Sequence, residues 1–252
     1  MKVSLIIPIY NERLHLKDFL KNIDALKLDC EKELVIVDDC STDGSNQIVA
    51  EHDFKSEYQF LRLEQNQGKG AALRVGIAAA TGDIIGIQDA DFEYSTSDIP
   101  AVLGPILEGK ADVVYGSRFK KSAIQVHRTY HYLINRFLTI LSNLLSGLYL
   151  TDMETCYKFF RSEIIKNIEL ESNRFGFEPE VTAKIARLCV RVAEVPISYF
   201  PRNYLEGKKI TWKDGVAALR HIFYYNLWAT KTKDSYSKLL PRRYFPVGDH
   251  WL

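Results

Sequence analysis

The segment Gln88-Asp89-Ala90-Asp91 sets two carboxylates one residue apart at the end of a short apolar run. Where a chain bends after a strand, two such acids can reach one divalent cation. Hard oxygen ligands suit Mg2+ or Mn2+, and Mg2+ commonly shares its shell with substrate phosphates. A D-x-D pair alone is a weak signal, but other strand ends add to it. Pro8-Ile9-Tyr10-Asn11-Glu12 offers a ring for stacking and a carboxylate, or else a turn with Asn11 as a helix cap. Asp38-Asp39 can accept from a ribose hydroxyl or a base N–H, with Asp43 or Ser45 capping the helix that follows. Asn66-Gln67-Gly68-Lys69-Gly70 precedes a helical pattern but fails as a phosphate loop. Leu63 stands where that motif needs its first glycine, and Gly70 follows Lys69 where Ser or Thr is required. Two glycines and a lysine there suit either close approach to an anion or a tight turn.

These groups need a frame. Strand-like runs at 3–8, 33–38, 60–64, 83–89 and 112–116 alternate with helical spacing, as in Leu16, Phe19, Leu20 and Ile23 or Leu73, Ile77 and Ala80. Strands apolar on both faces, alternating with helices, predict an α/β fold with a mostly parallel central sheet flanked by helices. In such sheets ligands bind beyond the C-terminal strand ends, where the acids stand. Strand one lacks the G-x-G-x-x-G of a dinucleotide fold, which argues against a dehydrogenase. The second half predicts a long helix over 127–150, a strand at 157–160, a helix at 180–189, a strand at 192–199 and an amphipathic helix at 211–228. On the long helix Leu133, Phe137, Leu141, Leu144 and Leu148 form one stripe, with His127, Arg128 and Arg136 near its start. That stripe suits core packing or a helix lying in a bilayer interface. One domain is expected over 1–230, its halves 1–118 and 119–230. A basic and aromatic tail follows over 231–252, either solvated or resting on an anionic membrane.

Composition removes other classes. The 252 residues hold 33 Lys plus Arg against 32 Asp plus Glu, so no basic excess marks a nucleic-acid binder. The 46% hydrophobic and 26% charged content is that of a globular protein. Cys30, Cys40, Cys156 and Cys189 form no C-x-x-C pair, the histidines show no metal spacing, and reduced cytoplasmic thiols are expected. The start of the chain does not read as a signal peptide. The most hydrophobic stretch, 132–150, is broken by Asn135, Arg136, Ser142 and Asn143 and does not read as a membrane span.

Taken in order, Pro8-Ile9-Tyr10-Asn11-Glu12, Val37-Asp38-Asp39, Asn66-Gln67-Gly68-Lys69-Gly70, Asp89-Ala90-Asp91 and Gly116-Ser117-Arg118 resemble the family 2 glycosyltransferases of GT-A fold. The resemblance is strongest to the dolichol-phosphate mannose synthase and polyprenyl-phosphate glycosyltransferase branch. It continues through Thr151 to Lys158, Phe175 to Glu180, Glu194 to Ile197, Pro201 to Tyr204 and Gly207 to Ile210. It implies inverting transfer of a sugar from a nucleoside diphosphate sugar (GDP-mannose or a UDP-hexose) to a polyprenyl or dolichyl phosphate. Pro8, Tyr10, Glu12, Asp38, Asp39, Lys69 and Ala90 would line the donor pocket. Asp89 and Asp91 would hold Mg2+ or Mn2+, aided by Gln88 or Glu93, and Arg202 and Lys208 would reach the diphosphate. Arg118, Arg128, Arg136 and Glu178 would face the acceptor, with Asp89, Asp91, Arg118 and Arg202 as the catalytic set. The implied setting is the cytoplasmic face of a membrane, peripherally, with a membrane-anchoring partner or a second copy of the chain and no nucleic acid. Two alternatives stand beside it: transfer to a hydroxyl of a glycan, peptide or nucleoside with Glu178 or Glu180 as base, and nucleotide-sugar binding without transfer. Thr155-Cys156-Tyr157-Lys158 stands where many relatives carry Thr-Gly-Phe-Arg or Ser-Gly-Phe-Arg. The stretch 207–215 also differs from the Gly-Glu-Ser-Lys type of loop, so the sugar and the acceptor stay open.

Overall fold

The apolar runs pair into a seven-stranded sheet of order β3-β2-β1-β4-β6-β5-β7. Its strands are β1 Lys2–Ile9, β2 Glu31–Asp38, β3 Glu57–Arg62, β4 Ile84–Ile87, β5 Val113–Ser117, β6 Lys158–Arg161 and β7 Val192–Pro196. The structure is a computed structural model that describes residues 1–120, 129–174, 176–201, 212–229 and 236–245, with 129 and 212–214 described by backbone alone. Helices α1 Arg13–Ala25, α2 Ser45–Glu51, α3 Lys69–Ala79, α4 Ile99–Leu107, α5 Thr129–Ser146, α6 Ser162–Ile165, α7 Phe177–Ile185 and α8 Trp212–Tyr224 complete it, and α8 runs on into a π-helical turn, Tyr225–Ala229.

Alternation along the strands divides the core between two faces, because successive side chains of a strand point to opposite sides. Leu5, Ile7, Leu34 and Ile36 meet Leu16, Phe19 and Leu20 of α1 and Val102 and Leu103 of α4. Ile6, Val35 and Val37 meet Leu73 and Ile77 of α3, in a cluster that also holds Val181 of α7 and Ile222 of α8. Beneath the sheet the buried Glu33 carboxylate accepts from Ser4, from Gln59 Nε2 at 2.8 Å and from the backbone N–H of Thr81 at 2.9 Å.

The strand predicted at 157–160 is β6, and it enters antiparallel between β4 and β5. Gly86 makes the insertion possible, since a Cβ there would run into the ring of Phe159 opposite. The fully buried Lys158 anchors the turn before β6: its ammonium donates to the carbonyls of Met153 (2.8 Å) and Thr155 and lies 4.6 Å from the Tyr115 ring centre.

Helix α5 settles the direction of its stripe. Leu133, Phe137 and Leu144 point outward at 59%, 57% and 78% exposure, joined by Ile134 and Ile140, while Leu138, Thr139 and Ser142 face inward. Core packing therefore does not explain most of the stripe. The inward polar groups instead hold the chain after the helix. Thr139 Oγ1 accepts from Met153 N, Asn143 bonds both N–H and C=O of Leu150, and Arg136 donates to Thr151 O. Part of the predicted tail is also structural: Tyr236, Leu240 and Tyr244 are buried in the core, and Tyr236 donates to Lys184 O at 2.7 Å. No helix among the described residues is long and apolar enough to cross a membrane.

Candidate functional site

The loops that leave β1, β2 and β4 at their C-terminal ends each hold one non-glycine residue at positive φ: Asn11 at 53°, Cys40 at 61° and Phe92 at 59°. Such conformations persist only where surrounding contacts fix them, and they gather at functional sites. Here the contacts are cross-loop hydrogen bonds. Asn11 does not cap α1. Its Oδ1 accepts from Thr42 N at 2.9 Å, and its own N–H donates to Ser41 Oγ at 3.0 Å. Asp43 accepts from the N–H groups of Arg13 and Ser45, both at 3.0 Å, so one carboxylate serves the starts of α1 and α2.

Asp38 and Asp39 are adjacent in the chain and have separate jobs. Asp38 is fully buried, closes the turn by accepting from Ser41 N at 2.9 Å, and lies 3.2 Å from Arg62 Nε. Asp39 reaches the loop before α3. Its carboxylate accepts from Gln67 N and Gly68 N, both at 2.7 Å, and from Asn66 Nδ2 at 2.8 Å. Gly68, at φ 98°, and Gly70, whose absent side chain leaves room for the carbonyl of Ser172, complete a loop held from both sides.

That loop delivers Lys69, the first residue of α3. Its ammonium is 2.8 Å from Asp89 Oδ2, 2.9 Å from Cys156 Sγ and 3.6 Å from Glu178 Oε1. Burial works against the charge, but Asp89, then Cys156 and Glu178, outweigh it and keep Lys69 protonated well above the usual lysine range. Burial, with Asp89 beside it, pushes the Cys156 thiol well up. Asp91 accepts from Glu93 N at 3.0 Å. Gln88 Nε2 donates to Asp89 O at 2.8 Å, and Gln88 Oε1 receives the hydroxyl of Tyr157. Ala90 is buried in the core between them. Pro8 and Glu12 are partly buried and Tyr10 is exposed at the rim of β1.

At the end of β5, Arg118 makes a two-pronged pair with Asp152, Nε and Nη2 each 2.7 Å from a carboxylate oxygen, and its backbone N–H adds a third bond at 3.0 Å. Burial opposes its charge, but Asp152 more than restores it. The Tyr199 ring centre lies 5.1 Å from the guanidinium, and the Tyr199 hydroxyl donates to Glu93 at 2.7 Å, tying this corner to the Asp91 loop. Glu194 secures the same corner by accepting from the backbone N–H groups of Thr151 and Asp152.

The structure thus brings Lys69, Asp89, Asp91, Arg118 and Glu178 to one end of the sheet, with Arg136 holding the neighbouring Thr151 carbonyl. Glu180 turns away: it accepts from Glu171 N and Ser172 N and pairs with the buried Lys184. Arg128, Arg202 and Lys208 lie outside the described residues. Sequence reasoning missed Asp152, the partner of Arg118, and Glu154. One oxygen of Glu154 is buried without a hydrogen-bond partner, and burial together with the charge of Glu178 pushes its carboxyl up to about 8. Its position within the Thr151 to Lys158 string was the one available signal.

Asp89 and Asp91 supply the hard oxygen donors that suit Mg2+ or Mn2+. Among the described residues no group of three or more His, Cys, Asp or Glu forms a self-contained metal site. Two carboxylates with the remaining positions left to phosphate and water is the usual arrangement for Mg2+ at a phosphate site, so the residues fit such a cation.

A profile described as glycosyl transferase family 2 matches residues 4–169, well over half of the chain. The chain belongs to glycosyl transferase family 2. This family 2 member is 29% identical over 231 residues to a dolichol-phosphate mannosyltransferase of Pyrococcus furiosus, covering 90% of this chain and 64% of that one. It therefore spans a little under two thirds of that relative's length. It is 30% identical over 217 residues to an undecaprenyl-phosphate mannosyltransferase of Micrococcus luteus, covering 82% of this chain and 87% of the relative. In fold it is similar to glucosyl-3-phosphoglycerate synthase from Mycobacterium tuberculosis, solved with Mn2+, UDP and phosphoglyceric acid. The TM-score is 0.66 at 20% identity, covering 90% of this chain and 78% of that one. The mixed sheet flanked by helices is that of the GT-A glycosyltransferases.

Proposed function

We propose that this family 2 member transfers a sugar from a nucleoside diphosphate sugar to the phosphate of a polyprenyl lipid, using Mg2+ or Mn2+ at Asp89 and Asp91. The observation that carries the reading is the rim carboxylate of Asp89 beside Lys69, two residues before Asp91, with Arg118 fixed at the next corner of the same strand ends. The names of the P. furiosus and M. luteus relatives support the acceptor class. The donor pocket is assigned to Pro8, Tyr10, Glu12 and the loops that Asp38 and Asp39 hold in place. Lys69, Arg202 and Lys208 are assigned to the diphosphate.

A bound cation would stabilise the negative charge that gathers on the diphosphate as the glycosidic bond breaks. The chain's residues do the positioning. Lys69 brings a second positive charge to that diphosphate. Arg118 is oriented by Asp152 through Nε and Nη2, which among the described residues leaves the N–H groups on Nη1 for the acceptor phosphate. A phosphate monoester is already ionised at neutral pH and needs no base, only cations that hold it near a like-charged leaving group. The outward apolar stripe of α5 gives the protein a face to lay on the membrane that contains the lipid, on its cytoplasmic side.

The second reading, transfer to a hydroxyl, draws on Glu178, the carboxylate 3.6 Å from Lys69, as general base. A panel of GDP- and UDP-sugars with Mg2+ or Mn2+ against a short-chain polyprenyl phosphate tests the first reading. Asp91→Asn should abolish turnover and metal-dependent donor binding, and unchanged activity would overturn the metal assignment. Glu178→Gln should leave substantial turnover with the phosphate acceptor. A loss of several orders of magnitude with donor binding intact would favour the hydroxyl reading.

A further inference from the structure

The ammonium of Lys69 stands against the very carboxylate assigned to the cation. Asp89 Oδ2 is 2.8 Å away, Glu178 Oε1 and Cys156 Sγ share the same positive charge, and the Lys69 side chain is 14% exposed. The backbone beneath it has little freedom to move. Asp39 clamps the preceding loop through three hydrogen bonds, and the N–H of Ala71 donates to Asn173 O at 3.1 Å. Gly70 sits so tightly on the Ser172 carbonyl that no side chain fits between them. The movable part is the four-carbon stem, which can swing its charge while α3 stays in place.

A divalent ion approaching Asp89 alone meets a positive charge already paired with that carboxylate, and would have to displace it without offering it another partner. A nucleoside diphosphate changes this balance, because its oxygens give the ammonium a new anionic partner and draw its positive charge away from Asp89. Resting on the metal reading above, we propose that Lys69 governs cation entry. It holds Asp89 until the diphosphate of an incoming nucleotide draws it off, so that cation and nucleotide bind as a unit. The species selected is the metal–nucleoside diphosphate complex, and the free cation is rejected.

Manganese EPR titration of the full chain, with and without saturating UDP or GDP, tests this. Wild type should bind Mn2+ weakly alone and far more tightly with nucleotide. Lys69→Met should bind Mn2+ alone more tightly than wild type by on the order of ten- to a thousand-fold, the range over which one nearby charge shifts the proton affinity of a carboxylate. The gain from adding nucleotide should shrink accordingly. Lys69→Arg, which keeps the charge, should reject free Mn2+ as wild type does and so separates loss of charge from local disorder. Equal affinity of wild type and Lys69→Met for free Mn2+ would overturn the gate. If that occurs while nucleotide-dependent Mn2+ binding persists in wild type and is lost in Asp89→Asn, the gate alone fails. Absence of protein-dependent Mn2+ binding in wild type under both conditions would remove the metal reading and the gate together.

Discussion

Replacing Asp39 with asparagine tests whether that carboxylate supports the fold or serves only a ligand. In the structure it is buried and accepts three hydrogen bonds, at 2.7, 2.7 and 2.8 Å, all from residues 66–68. A hydrogen bond to a charged group contributes about 1.5–3 kcal/mol, and a buried donor left without a partner costs about 1–3 kcal/mol. Asparagine keeps one acceptor oxygen but turns an NH2 group toward N–H donors, so it leaves one or two of them unmatched. The contributions do not add in full, because the three bonds share one loop. A loss of about 2–4 kcal/mol follows. With an m-value of about 3 kcal/mol per molar, that moves the urea midpoint down by roughly 1 M. The measurement is equilibrium unfolding without nucleotide, since a loosened loop also displaces Lys69 and weakens donor binding for an indirect reason. A midpoint within about 0.2 M of wild type, with nucleotide affinity reduced, would refute the clamp and make Asp39 a ligand contact.

Two further perturbations act elsewhere. Hydrogen bonds from Arg191, aided by Arg161, hold Asp112 down to about 2, below its ordinary 3.8. The folded pKa is depressed, so this stabilisation is complete above pH 3.8 and fades as pH falls toward 2. Asp112→Asn should therefore cost about 1–2 kcal/mol at pH 7, allowing for the solvent around Arg191, and almost nothing near pH 2; a cost independent of pH would count against the ion pair. Asp152→Asn strands the buried guanidinium of Arg118 and should cost about 3 kcal/mol, whereas Arg118→Met with Asp152→Asn together should cost less than the single change. A larger loss in the double variant, read by thermal unfolding, would contradict the pairing.

The features legible in the sequence were local ones. The acids after β1, β2 and β4 could be placed because short apolar runs, apolar on both faces, end where they begin. What each acid does was hidden, since neighbours on a strand point apart: Asp38 turns to Ser41 and Arg62, Asp39 to the loop before α3. Glu178 and Glu180 show the same limit on a helix, where residues two apart do not share a face. One meets Lys69, and the other holds Ser172 and Lys184. The antiparallel sense of β6 was illegible because alternation is the same in either direction. It rests on contacts far apart in the chain, Gly86 against Phe159 and Lys158 under Tyr115. For α5 the stripe was readable and its direction was not. The inward choice follows from Thr139 and Asn143, whose bonds to residues 150–153 an apolar face could not make.

Lys69 and Arg118 each arrive already paired with an acid, and the formal charges of these two against Asp89, Asp91, Asp152 and Glu178 come to 2 − 4 = −2. Counting Arg136 near Thr151 brings the sum only to −1. A diphosphate entering this corner would add like charge to a region with a net negative balance, and at about 4 Å and an effective dielectric of 20 each unbalanced pair costs about 4 kcal/mol. A single divalent ion at Asp89 and Asp91 would bring those sums to 0 and +1, and so would help hold the nucleotide as well as aid bond breaking. Removing divalent ions with EDTA should therefore abolish UDP or GDP binding in calorimetry, and not merely slow turnover. Nucleotide affinity that survives chelation within about threefold, less than 1 kcal/mol, would mean that other charges of the protein neutralise the diphosphate.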